Sequence, residues 1–135
     1  MKRTKDVDAI KTKHKRSHLE TQITKLTASA RSEVPRPWII SLMDHLFDRM
    51  LERCGTDDDI VNVTVLINKA IRHKLCEIVY AFTLGHTRVI LVHGKYHIAL
   101  TYHRSEYGNF VQFRTIMIEK GGLKTRQRAY HILIN

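Results

Sequence analysis

The chain has 135 residues, 43% of them hydrophobic and 27% charged, which is an ordinary balance for one globular domain. No apolar run approaches the ~20 residues a bilayer span needs. No hydrophobic stretch follows the basic start Met1–Lys5, and two cysteines, Cys54 and Cys76, are too few for a disulfide scaffold. These features argue against a secreted mini-protein and a membrane protein, and both thiols are expected to be reduced in a cytosol. Net charge is +10 and unevenly placed: residues 1–34 carry nine Lys/Arg against four Asp/Glu, 35–79 six against seven, and 80–135 eight against two. Clustered excess charge of this kind points to a polyanion, nucleic acid first.

The chain reads as a single domain, 1–135, whose first 14 residues form a basic arm. Ile10, Leu19, Ile23 and Leu26 fit a helix over about 5–30, ended by Val34-Pro35-Arg36-Pro37. A second helix is predicted from about Trp38 to Arg53, because Ile39, Leu42, Met43, Leu46, Phe47 and Met50 recur at three- and four-residue spacing. Gly55 would cap it, and Thr56 would start a third helix running to about His73, with Asp57, Asp58 and Asp59 in its positive first turn. From Leu75 the period changes to two. Strands are predicted at Leu75–Leu84, Arg88–Val92, Lys95–His103, Phe110–Glu119 and Ala129–Ile134, with a tight turn at His93-Gly94 and a basic turn at Lys124–Arg128. Helices first and strands afterward imply an α+β fold, two or three helices on one face of a four- to five-stranded antiparallel sheet.

Nine histidines are the compositional oddity. A zinc site is not supported: His93 and His97 straddle a hairpin and the cysteines form no CxxC pair. No phosphate-binding glycine loop is present. His45 and Arg49, four apart on the polar face of the second helix, are neighbours, with Glu52 one turn on. An imidazole able to exchange protons near neutrality beside a fixed cation suits phosphodiester chemistry. The plain alternative is a solvated helix face laced with ion pairs to Asp44, Asp48 and Arg53.

His45-Leu46-Phe47-Asp48-Arg49, with Arg53 four residues on, resembles the signature helix of the RegB family, sequence-specific endoribonucleases of T-even-type bacteriophages. His18-Leu19-Glu20 resembles the family's H-F-E segment. His73–Ile78, Arg88–Tyr102 and Phe113–Asn135 are similar to its first strand entry, its hairpin and its C-terminal strand–turn–strand. The resemblance covers most of the chain from about Lys15. It implies a fold like the RelE and YoeB toxins. It also implies cleavage of early phage messenger RNA at GGAG-type Shine–Dalgarno sites, needing no metal or other cofactor and leaving a 2′,3′-cyclic phosphate and a 5′-hydroxyl. Implied partners are single-stranded mRNA and ribosomal protein S one or the small ribosomal subunit. The implied setting is a monomer in the cytoplasm of an infected bacterial host.

Carried over position by position, Glu20, His45 and Arg49 match catalytic residues of the family. The place of a second family histidine falls at Asn68, which cannot exchange a proton; His73 one turn later, or His97 or His103 on the sheet, could substitute. His45 would deprotonate the 2′-hydroxyl or protonate the leaving oxygen, Arg49 would hold the phosphate, and Glu20 would share proton transfer or orient His45. Arg53, Asn68, Arg114, Lys124, Arg126 and Arg128 are candidate RNA contacts, and Tyr96, Tyr102 or Tyr107 could stack an unpaired base. Two rivals are a protein that grips RNA or the ribosome without cutting it and a basic DNA-binding regulator, although no recognition-helix turn is evident.

Overall fold

The computed structural model describes residues 2–118 and 129–135, with side chains from residue 15 onward. The expected Lys124–Arg128 turn lies outside the described residues, as does the side chain of Ile10. Among the described residues four helices precede most of a five-stranded sheet, so the fold is α+β. Helix α1 spans Lys2–Ser32, α2 Asp44–Arg53, α3 Asp57–His73 and α4 Leu75–Thr83. The strands are β1 Trp38–Leu42, β2 Arg88–His93, β3 Tyr96–Ser105, β4 Gly108–Ile118 and β5 Tyr130–Leu133, in the order β1-β4-β3-β2-β5.

Three expectations about the strands and helices themselves are corrected. The sheet is mixed: β2, β3 and β4 form an antiparallel meander, whereas β1 runs parallel to β4 and β5 parallel to β2. Each edge strand returns from far along the chain, by a route that hairpin turns do not constrain. Next, the segment expected as one helix from Trp38 to Arg53 splits. Trp38–Leu42 is extended because Pro35 and Pro37 hold the entry, Trp38 N–H donates to the Pro35 carbonyl (3.0 Å), and the strand pairs with Asn109–Phe113. Last, Leu75–Leu84 is helical. Ile78, Ala81 and Phe82 bury one face at helical spacing, and Thr83 Oγ1 donates back to the Val79 carbonyl (2.8 Å). Packing thus overrides the β-branched and aromatic composition of that stretch.

Helix α1 buries Leu19, Ile23, Thr27 and Ala30; Leu26, at the margin of that stripe, is 54% exposed. Leu46, Phe47 and Met50 of α2 enter the same core as Val63, Leu66 and Ile67 of α3, and Val89, Leu91, Ile98, Leu100, Val111 and Phe113 of the strands. Each of these larger side chains contributes roughly 1.5–3 kcal/mol on burial. Thr56 caps α3 as expected, accepting from Asp59 N–H (3.2 Å). Gly55 is not a left-handed cap: α2 closes with the Cys54 N–H on the Met50 carbonyl, and Gly55 N–H instead donates to Asp59 Oδ2 (3.0 Å).

Asp59 ties the α2–α3 turn to the β2–β3 turn. It accepts from Tyr96 Oη (2.5 Å), pairs with Lys95 Nζ (3.3 Å), and Asn62 Nδ2 donates to the same phenol oxygen (3.2 Å). The Tyr96 hydroxyl, with Lys95 and the Gly55 amide, holds the Asp59 carboxyl below the ordinary carboxylate range. A depressed folded-state pKa adds stability that is present above the unfolded pKa of about 4 and is lost as pH falls through the folded value. Thermal melts below about pH 4 should therefore show falling Tm for the native chain and a shallower acid limb for Asp59→Asn. Parallel acid limbs would exclude Asp59 as the linked group.

Candidate nucleic-acid interface

The site is built where β1 ends. Met43 N–H donates to the Phe113 carbonyl (3.1 Å), prolonging the β1–β4 ladder by one bond, and α2 then runs beside β4 past the end of β1. Arg53 Nη1 donates to the Ile116 carbonyl, tying the helix to β4 beyond the end of β1. The apolar stripe of α2 faces the core, so His45, Arg49 and Arg53 turn toward the opposite side of the sheet.

On that side β4 carries a bulge. Thr115 lies opposite Ala99 and Phe113 opposite Leu100, leaving Arg114 as the extra residue. The bulge lets Phe113 and Ile116 both enter the core while Arg114 and Thr115 both line the open face. Arg114 is pre-oriented by neutral acceptors: its Nε donates to Thr101 Oγ1 (2.6 Å) and its Nη2 to Gln112 Oε1 (3.2 Å), and Thr101 donates to the same Gln112 oxygen (3.0 Å).

The result is a cleft of about 300 Å³ floored by Ile90 and Ala99 and walled by His45, Arg49, Arg53, Arg88 and Arg114. A second cleft of about 470 Å³, lined by Leu42, Met43 and Asp44 with His45 and Arg114, opens beside it. No carboxylate among the described residues lines the first cleft. Among the described residues Arg53, Arg88 and Arg114 pair with no acid, whereas Arg49 Nη1 contacts Glu52 Oε2 (2.6 Å) at the rim. Arg49 Nε also donates to His45 Nε2 (3.2 Å). Guanidinium has no acceptor, so this contact marks Nε2 as the lone-pair nitrogen of the ring. A concave, acid-poor set of guanidinium forks matches the oxygens of a phosphodiester chain.

The other expected site residues lie elsewhere. Glu20 is held by Arg16 (3.5 Å), which also pairs with Asp48 (2.5 Å) and Asp44 (3.3 Å). It is therefore linked to the Asp44–Asp48 edge of α2 and lines neither cleft that His45 lines. Asn68 sits between α3 and α1, its Nδ2 donating to the Leu26 carbonyl (3.2 Å), while its Oδ1 has no partner among the described residues. His73 lines a different cleft with Glu33, Arg72 and Cys76. His97 is buried, and His103 is exposed with its ring 6.4 Å from that of Phe110. Tyr96 is buried on Asp59, and Tyr102 packs against Trp38 and Phe82. Lys124, Arg126 and Arg128 lie outside the described residues. Burial pushes the Cys54 thiol up to about 11, which disfavours the thiolate a nucleophile needs. Among the described residues no three His, Cys, Asp or Glu side chains are arranged to hold a metal ion, and no helix is long and apolar enough to cross a membrane.

Sequence reading missed Arg88. It sits at the first position of β2, opposite Thr101, and only the β2–β3 register brings it to the Arg114 side of the sheet. The hairpin signal at His93-Gly94 fixes that register, so counting back from the turn would have found it.

Comparison with protein-family models, with curated proteins and with solved structures returns no match.

Arg88 and Arg114 are exposed and stabilise no core contact, so replacing either with alanine should shift stability by no more than about 0.5 kcal/mol. If each contacts one phosphate, each replacement should lower the slope of log K against log salt for single-stranded RNA by about 0.7. Unchanged slopes in both variants would remove this cleft from the binding surface.

Proposed function

We propose that the protein is an endoribonuclease of the type its RegB-like segments imply, cutting single-stranded messenger RNA within GGAG-type sites. The observation that carries the proposal is the His45–Arg49 contact at the mouth of a cleft lined, among the described residues, by four arginines and no carboxylate. In this reading Arg88, Arg53 and Arg114 seat the phosphates flanking the scissile linkage. Arg49 exchanges His45 Nε2 for a non-bridging phosphate oxygen, and the freed lone pair removes the 2′-hydroxyl proton. The 2′-oxygen bonds to phosphorus, the bond from phosphorus to the 5′-oxygen breaks, and the leaving oxygen takes a proton from water in the open cleft. The products are a 2′,3′-cyclic phosphate and a 5′-hydroxyl. Arg49 and Arg114 stabilise the charge that builds on the phosphorane. Glu20 acts through Arg16 by fixing α2 on α1, which makes it a positioning residue.

A second reading is a protein that holds RNA intact. It is favoured by the separation of His73 and Asn68 from the His45 cleft, which leaves that cleft with one proton-transfer side chain among the described residues. Incubation of end-labelled GGAG RNA with the protein in EDTA decides between them. A fragment ending in cyclic phosphate should form at a rate reduced about 10²–10⁴-fold by His45→Ala and unaltered by His73→Ala. RNA that is retarded but uncut establishes the binding protein, and preference for duplex DNA rejects both readings.

A further inference from the structure

At the opposite end of β1 lies a cleft of about 630 Å³, lined by Arg31, Arg36, Trp38, Ile39 and Tyr107 among others, with no carboxylate among the described residues. Its walls come from three places: the last turns of α1, the entry to β1, and the β3–β4 turn. The turn is locked onto the β1 entry, since Asn109 N–H donates to the Pro37 carbonyl (2.8 Å). Gly108 (φ 145°) passes so close that a Cβ there would lie 2.6 Å from the same oxygen. Trp38 is braced from behind by Tyr102 (ring centroids 5.6 Å apart), itself stacked on Phe82 (5.7 Å). Tyr107, by contrast, is 79% exposed, and core packing does not account for its place at the tip of the turn. Arg31 is anchored on neutral acceptors, Thr27 Oγ1 (3.1 Å) and the Thr24 carbonyl (2.8 Å), and its charge is uncompensated among the described residues.

We infer that this cleft is a base-stacking subsite that receives an unpaired nucleobase of the same RNA strand whose phosphates occupy the His45 cleft. The inference rests on the reading proposed above. An aromatic pair with a π-face to offer, one rigidly braced and one exposed, flanked by two guanidinium groups, fits a base joined to anionic phosphates better than it fits an apolar or cationic ligand. Trp38 lines this cleft and Leu42 lines the second cleft that His45 shares, and the two residues, at opposite ends of β1, lie about 13 Å apart. A single extended strand of a few nucleotides spans that distance along the sheet edge.

Trp38 is the chain's sole tryptophan, so its emission reports occupancy of this cleft directly. The native chain and its Tyr107→Ala, Tyr107→Phe and Arg36→Ala variants, each on a cleavage-silent His45→Ala background, would be titrated with a short single-stranded RNA and with a length-matched abasic oligoribonucleotide. Intrinsic emission and the anisotropy of a dye on the RNA are read together. The inference expects saturable quenching by the RNA and none by the abasic strand, about ten-fold weaker affinity for Tyr107→Ala, and restoration by Tyr107→Phe. Anisotropy showing tight binding, with Trp38 emission unchanged and Tyr107→Ala as tight as its parent, overturns this subsite alone. Absence of RNA binding by anisotropy overturns the functional reading beneath it as well.

Discussion

The parallel pairing of a five-residue strand, β1, against the first half of β4 is the constraint on which the rest of this molecule depends. Because β1 stops at Leu42 while β4 continues to Ile118, the chain can enter α2 and lay that helix beside the remaining edge of the sheet. Leu46, Phe47 and Met50 secure it from the core side, and Arg53 secures it from the edge. His45 and Arg49 are thereby carried to the opposite side of the sheet from the other helices. A longer β1 would cover the edge and leave no place for them.

Electrostatics divides α2 into two territories. Its Asp44–Asp48 edge is committed to Arg16, and through Arg16 to Glu20, so that charge on charge holds α1 and α2 together. Its His45–Arg49–Arg53 edge meets guanidinium groups from β2 and β4 instead, with Glu52 at the rim as the neighbouring acid. Concentrating like charge in one cleft costs stability through self-repulsion, and that cost is tolerated more readily when a polyanion relieves it. The neutral acceptors Thr101 and Gln112 fix Arg114 without discharging it, which keeps its field available to a phosphate.

The sequence made local features legible and left distant ones hidden. Spacing alone placed His45 beside Arg49, and the Thr56–Asp59 signature placed the start of α3, because both depend on residues within one helical turn. Leu75–Thr83 misled because its Ile78, Val79, Tyr80 and Phe82 suit a strand by composition, while the core contacts that made it helical come from strands read later in the chain. Trp38–Leu42 misled in the opposite sense, since its apolar spacing continues that of α2 and its strand partner lies about seventy residues away. The direction of the edge strands was likewise invisible, as parallel or antiparallel pairing is decided by long connections with no local signal. Glu20 illustrates the limit for the site: a carboxylate can sit on the helix that neighbours a histidine and still be turned to another partner.

The bulge at Arg114 makes the open face sensitive to chain length as well as to side-chain identity. Removing Arg114 itself would restore an uninterrupted two-residue alternation with Phe113 and Ile116 still inward and Thr115 outward, at the loss of one guanidinium group. A residue gained or lost elsewhere in β4 would instead turn the strand on one side of the change by half a turn, and either the hydrophobic interior or the array of arginines would be turned inside out. Natural or engineered drift in this protein can therefore alter which groups occupy these strands more freely than it can alter how many there are.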